Sequence, residues 1–230
     1  MPYSREHPSQ RYRDLIALYT SMHRAGDPAH GVAPEQTFDG RSLPPQALRI
    51  RKMIARTGAR TILDYGCGKG MQYRVPVPLD GRIFNSIQEY WGVESIRCYD
   101  PGYEPFSKLP DGVFDGVVCT DVLEHCPEQD LEWIIEGLFS FARKFVFANV
   151  ACYPARKTLP NGENAHCTIR PGNYWEALFE QAAARFPGML WQVWIDERNA
   201  QGQKESSVGN FIEDPVAPTP ASGPRVWRMV

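Results

Sequence analysis

The chain has 230 residues, 43% hydrophobic and 23% charged, with a formal net charge of -2 and six cysteines. This length supports one sizeable core with decorations, the charge gives no sign of a partner dominated by phosphate, and no apolar run approaches the roughly 18 residues of a membrane span. The first residues, MPYSREHPSQRYRD, lack the apolar stretch of a signal peptide, and the cysteines are scattered with no C-x-x-C pair; reduced thiols and a cytoplasmic location are expected.

Tyr12, Leu15, Ile16, Tyr19 and Met22 form a stripe that predicts a helix over Pro8 to Arg24. The first sixty residues carry ten Arg and Lys against five acids, read as a solvated face because no aromatic residues interleave with the basic ones. His7, His23 and His30 are read as surface residues. Ala25 to Pro45 is a loop with Phe38 as its aromatic anchor, and a second helix is expected from Pro45 to Thr57, stopped by Gly58. Residues 1–57 are therefore expected to form an N-terminal helical cap.

Thr61 to Tyr65 is a short β-branched apolar run interrupted by Asp64, and Gly66, Gly68 and Gly70 follow at every second position. This reads as a buried strand turning into a ligand-binding loop, because glycine accepts positive φ and lets a ligand approach the backbone. The dinucleotide fingerprint G-x-G-x-x-G does not fit, since Met71 stands where its third glycine belongs. Pro76 and Pro78 then break the pattern, and Ile83 to Trp91 looks helical. The next strand, Ile96 to Tyr99, ends in Asp100, placed to accept both ribose hydroxyls of a nucleoside in a doubly wound sheet. Only Gly102 to Gly112 separate it from the strand Val113 to Cys119, so the third strand and its helix are shortened or absent.

Asp121, Glu124 and His125 follow that strand at i, i+3 and i+4, the spacing of one helical face. Beyond them a helix is expected over Asp130 to Phe141, a strand over Phe145 to Val150, a turn at Asn161-Gly162, a helix over Tyr174 to Phe186 and a strand over Met189 to Ile195. Residues 201–230 are expected to be an extended C-terminal segment. Strands apolar nearly throughout and alternating with helices predict an α/β fold, a doubly wound, mostly parallel sheet with helices on both faces.

The loop D-Y-G-C-G-K-G (64–70) and the stretch F-D-G-V-V-C-T-D-V-L-E-H (114–125) resemble the first and fourth-strand motifs of class I S-adenosylmethionine (SAM) dependent methyltransferases. With Asp100 at the matching point, the resemblance covers about Thr61 to Val150. It implies a Rossmann-like methyltransferase domain over 58–200 that binds SAM through Asp64, Gly66, Gly68, Gly70 and Asp100, with Asp121 beside the methyl group. Phe106 to Leu109 is the candidate wall for adenine.

Two subgroups of that family, the ubiquinone-biosynthesis O-methyltransferases and the enzymes that 2′-O-methylate the 3′ end of small RNAs, have acid-x-x-Glu-His here plus a later His, and use a divalent metal. H-C-T-I-R-P-G-N-Y-W-E-A-L-F, starting at His166, is similar to the later segment. The resemblance thus implies a Mg²⁺, Mn²⁺ or Zn²⁺ site from Asp121, Glu124, His125 and His166, with His125, Glu124 and His166 as catalytic residues. Two departures stand beside it: the first acid is Asp instead of Glu, and no Arg/Lys-rich RNA-binding extension is evident. The metal-free alternative makes His125 a general base or a structural residue. Neither an N-P-P-Y type motif nor a P-C dipeptide is present, which favours an oxygen acceptor, a small molecule or glycan over nucleic acid. The alternative from another class is a catalytically inactive SAM- or nucleoside-binding module with the same fold.

Overall fold

The computed structural model describes residues 2–28, 31–199 and 202–211. In chain order the helices are α1 (Gln10–Ala25), α2 (Ala47–Thr57), α3 (Ile87–Trp91), α4 (Leu131–Phe141) and α5 (Gly172–Ala183). The strands are β1 (Thr61–Tyr65), β2 (Val77–Leu79), β3 (Arg82–Phe84), β4 (Ser95–Tyr99), β5 (Phe114–Thr120), β6 (Ala142–Ala151), β7 (Leu190–Asn199) and β8 (Gly202–Gly209). Six of them form one sheet in the order β4-β1-β5-β6-β7-β8, and β2 pairs with β3 separately. The first five strands of the sheet run parallel, and β8 is antiparallel to β7. This is the expected α/β Rossmann-like architecture.

Alternation along the central strands divides the core in two. Leu63, Val117, Cys119, Val146 and Val193 point to one face, against α4 and α5. Ile62, Val118, Phe145 and Phe147 point to the other, against Ile50, Met53 and Ile54 of α2 and Tyr90 and Trp91 of α3. Both faces are covered, which explains why these strands read as unbroken apolar runs. Within residues 1–57, α2 belongs to this second layer, whereas α1 lies across the strand ends through Leu15 and Met22. The start of α1 is fixed by Ser9, whose hydroxyl accepts from Tyr12 N at 3.0 Å while its own amide donates to the buried Asp130 carboxylate at 2.9 Å.

Two expectations are corrected. The helix foreseen over Ile83 to Trp91 begins only at Ile87; Ile83 and Phe84 belong to a hairpin whose turn, Asp80-Gly81, has both residues at positive φ (49° and 72°), as a type I′ turn requires. The C-terminal segment 201–230 is not simply an extended tail, because β8 extends the sheet by eight residues; the remainder, from residue 212, lies outside the described residues. As expected from the short segment after Asp100, among the described residues no third strand stands beyond β4, which is left as the sheet edge with a 3₁₀ turn (Glu104–Phe106) after it. Among the described residues no helix is long and apolar enough to cross a membrane.

Candidate functional site

The chain reverses its winding at β1, going first to β4 on one side and then to β5 on the other. A doubly wound sheet leaves a crevice outside the strand ends at such a point. Here that crevice is a cavity of about 450 Å³, within the size range of small-molecule sites. Asp64, Gly66 and Gly68 follow from β1, Asp100 from β4, and Asp121 and His125 from β5; His166 arrives from the segment after β6, and α1 with residues 36–43 closes over the opening.

At the glycine end the polar side chains are bonded to the protein. Asp100 accepts Gly68 N and Gly102 N, both at 2.9 Å, with one oxygen each. Burial raises its pKa to about 6 against those same amides, which lower it. Asp64 is buried and accepts Tyr73 Oη at 2.8 Å and Gln72 Nε2 at 3.2 Å. Desolvation raises it to about 7, with Tyr73 opposing and Asp100 adding to the rise. Lys69 turns its ammonium away from the cavity onto Thr37 O at 3.0 Å, Thr37 Oγ1 at 2.9 Å and His23 Nδ1 at 3.3 Å.

His23, expected at the surface, is 7% exposed and lines the cavity. Burial first, then the Lys69 ammonium, lower its pKa to about 4. It is therefore neutral at pH 7, and its 3.9 Å approach to Asp100 is not an ion pair. His7 is exposed as expected, and His30 lies outside the described residues.

Residues 37–40 cover the glycine loop. Lys69 N donates to Phe38 O at 2.9 Å, and a Cβ on Gly68 would stand 2.3 Å from that oxygen. Gly68, at φ 57°, thus makes room for the chain as well as for any ligand. Gly70 does not line the cavity: a Cβ there would meet Cys98 and Phe106 at 3.1 Å. Phe106 and Leu109, the expected adenine wall, also lie outside the cavity; Leu109 packs on the main core.

At the other end Asp121, His125 and His166 each present one ligand atom within 4.8 Å of the other two. The imidazole tautomers follow from their partners. His166 Nδ1 lies 2.6 Å from Tyr153 O and His125 Nδ1 2.9 Å from Ala165 O; a carbonyl only accepts, so both Nδ1 atoms carry the proton and both Nε2 atoms keep a lone pair. Tyr19 Oη stands 2.8 Å from His125 Nδ1 and donates to Ala165 O. Burial lowers the His125 pKa to about 4, against the Asp121 carboxylate, which raises it. The ring is neutral at pH 7.

Glu124 is a correction. Asp121 sits at φ 59°, and Leu123–His125 is a 3₁₀ turn. With no α-helical turn the i, i+3, i+4 face does not form, and Glu124 turns inward. It is fully buried, one oxygen accepting Ala151 N at 2.7 Å and the other without a hydrogen-bond partner. Burial, then the neighbouring Asp121 charge, push its pKa well up. The ligand-bearing cluster is one carboxylate and two imidazoles.

Sequence reasoning passed over Tyr19, His23, Lys69 and Tyr153. A signal existed for His23, four residues after Tyr19 and so on the same face of α1. Comparison with protein-family models, curated proteins and solved structures finds no significant match to this chain.

Proposed function

We propose that the protein is a SAM-dependent methyltransferase that methylates a hydroxyl of a small-molecule or glycan acceptor, with a divalent metal at Asp121, His125 and His166. One observation carries this reading: a single cavity joins a glycine loop and a strand-end acid to a pair of imidazoles whose Nε2 lone pairs are free. Gly66, Gly68 and Asp100 line the same space, where the amino-acid portion of SAM would lie along the loop, although a Cβ on Gly66 or Gly68 would first meet Val122 or Phe38 O. Bound SAM would supply the methyl group to the acceptor oxygen, with S-adenosylhomocysteine as leaving group and loss of the hydroxyl proton, and the chain would govern the step by holding the two reactants in line. The α1 helix and residues 36–43 exclude water from that encounter.

The cluster fits a metal because the Nδ1–H groups are tied to carbonyls, the arrangement that orients metal-binding histidines. Two imidazoles and one carboxylate suit Mn²⁺ or Zn²⁺ better than Mg²⁺, which prefers oxygen. A bound ion would supply Lewis acidity, lowering the pKa of an acceptor hydroxyl. The chain contributes Asp121, His125 and His166 as ligands, and the buried Glu124 lies beside Asp121.

Calorimetric titration with SAM, S-adenosylhomocysteine and NAD tests the first half: the first two should bind and NAD should not. Equal affinity for NAD, or none for SAM, overturns it. Metal analysis of protein purified without chelator tests the second half, and absence of bound Mn²⁺ or Zn²⁺ after loading refutes the ligand set. The rival reading, a SAM- or nucleoside-binding module without turnover, rests on Asp100 already accepting two backbone amides and on Phe106 and Leu109 lying outside the cavity. Methyl transfer from labelled SAM to any hydroxyl compound excludes it.

A further inference from the structure

The cavity has a third side, formed by the loop between β6 and α5. Arg156 and Lys157 line it on the same loop that supplies His166. Their backbone is laced to the histidine segment. Asn164 Oδ1 accepts Ala155 N at 2.9 Å and His166 N at 3.0 Å, Asn164 Nδ2 donates to Ala155 O at 2.9 Å, and Ala165 N donates to Lys157 O at 3.1 Å. The loop backbone that carries them is thus tied to the His166 segment, with Lys157 half-buried and Arg156 exposed at the cavity wall.

Among the described residues no carboxylate forms a salt bridge or side-chain hydrogen bond with Arg156 or Lys157, and the ammonium of Lys157 lies over the Phe38 ring at 4.5 Å. The acids that line the cavity are committed elsewhere: Asp39 to Arg41, Asp64 to Tyr73 and Gln72, Asp100 to two amides, and Asp121 to the histidine cluster. Lys157 is half-buried, and its charge reaches both His125 and His23, adding to the depression of each. The wall on α1 is the opposite in character, with Leu15, Ile16 and the ring of Tyr19.

We propose that Arg156 and Lys157 form an oxyanion subsite, so that the acceptor is a hydroxyl compound that also bears a carboxylate or phosphate group. Its apolar body would lie along α1, its hydroxyl at the histidine end and its anion between the two cations. The half-buried Lys157 ammonium is stabilised by an anionic ligand, and the guanidinium of Arg156, on the same cavity wall, offers donors that suit a carboxylate or phosphate. The inference rests on the methyltransferase reading for the identity of the second substrate. The same cations could instead hold the carboxylate of SAM itself, and the experiment separates the two.

The full chain and the double variant Arg156→Gln/Lys157→Gln are compared by calorimetry, with circular dichroism to check folding. SAM is titrated first, and failure of the wild type to bind it refutes the methyltransferase reading alone. Inorganic phosphate, glycerol 3-phosphate and glycerol follow, each tested with and without S-adenosylhomocysteine. The expected result is binding of the two anions and not of glycerol, weakened about tenfold or more in the double variant, the loss for a charge-assisted contact. SAM affinity should stay within about twofold of wild type, and Lys157→Arg should keep most of the anion affinity. Anions that fail to bind the wild type, or that bind the double variant equally well, overturn the subsite. A double variant that loses SAM affinity but keeps that for 5′-methylthioadenosine, which lacks the carboxylate, assigns the cations to SAM and overturns the inference about the acceptor.

Discussion

The glycine end and the histidine end of the cavity differ in what their polar groups already hold. Asp100, Asp64 and Lys69 are bonded to Gly68, Gly102, Tyr73, Gln72 and Thr37, so they shape the loop, while Asp64 and Asp100 also line the cavity. At the histidine end the hydrogen bonds of His125 and His166 within the protein fall on Nδ1, and one ligand atom of each ring lies within 4.8 Å of the other and of one from Asp121. Groups of the first kind serve folding and binding together; groups of the second kind have no folding role on their reactive side. The two ends should therefore respond differently to substitution.

The largest effect is expected from His166→Ala. Removing one of three ligands should weaken Mn²⁺ or Zn²⁺ binding about 100-fold or more, while SAM affinity stays within about twofold of wild type. Metal titration and SAM calorimetry on the same preparation check this. A parallel loss of both would show that the ends are not independent.

Asp64→Asn probes the other end through pH. The native pKa of Asp64 is about 7, above its ordinary value of 3.8, because burial opposes the charge. Its stabilising contribution is thus fully present below about pH 3.8 and is lost as pH rises through about 7. Asparagine still accepts from Tyr73 and Gln72 and never ionises. The variant should match wild type in strong acid and exceed it above pH 7 by on the order of 3 kcal/mol, as read by urea unfolding across pH. A difference independent of pH would mean that Asp64 stays ionised in the fold, balanced by charges other than those bonded to it. SAM binding should also favour the ionised form, so its affinity in wild type should rise with pH over the same range.

Gly68→Ala comes next, at about 2 kcal/mol. A non-glycine residue in the left-handed region costs roughly 1–2 kcal/mol, and the added Cβ would also press on Phe38 O, 2.3 Å away. The prediction is faster proteolysis within residues 36–43, alongside weaker SAM binding. Weaker SAM binding with no change in proteolysis would mean that ligand, and not the chain, fills this space.

Legibility in the sequence follows from how local each cause is. The β1 run, its acid and the glycines lie within ten residues, and the stripe of Leu131, Ile134, Ile135 and Leu138 in α4 is equally self-contained. The hairpin was hidden because Pro76 and Pro78 looked like helix breakers, although Asp80-Gly81 is itself a turn signal. The strand β8 is polar and is defined by the edge of β7 that it pairs with. Glu124 was misplaced because helical spacing was assumed after β5, where Asp121 takes positive φ and ends that periodicity. The cover by Tyr19, His23 and Phe38 depends on α1 folding back across the strand ends, which no local pattern encodes.

That cover supplies the smallest and most discriminating prediction, because α1 touches both ends one turn apart: Tyr19 meets His125, and His23 meets Lys69. In Tyr19→Phe the ring keeps its edge contacts with Phe38 and His125, whose centroids lie 5.6 and 5.8 Å away. Only the hydroxyl is lost, and with it the bond it donates to Ala165 O and its contact with His125 Nδ1. His125 Nδ1–H retains the Ala165 carbonyl at 2.9 Å, so the tautomer and the Nε2 lone pair survive. The expected cost is about 1 kcal/mol, the net value of one hydrogen bond, seen as a loss of less than about tenfold in Mn²⁺ affinity. Imidazole NMR should still show the Nδ1–H form of His125, and SAM affinity should not change, since His23 and Lys69 are untouched. A loss as large as that of His166→Ala would make α1 part of the reacting end itself, and the contrast between the two ends would give way to a site held together by the helix that crosses it.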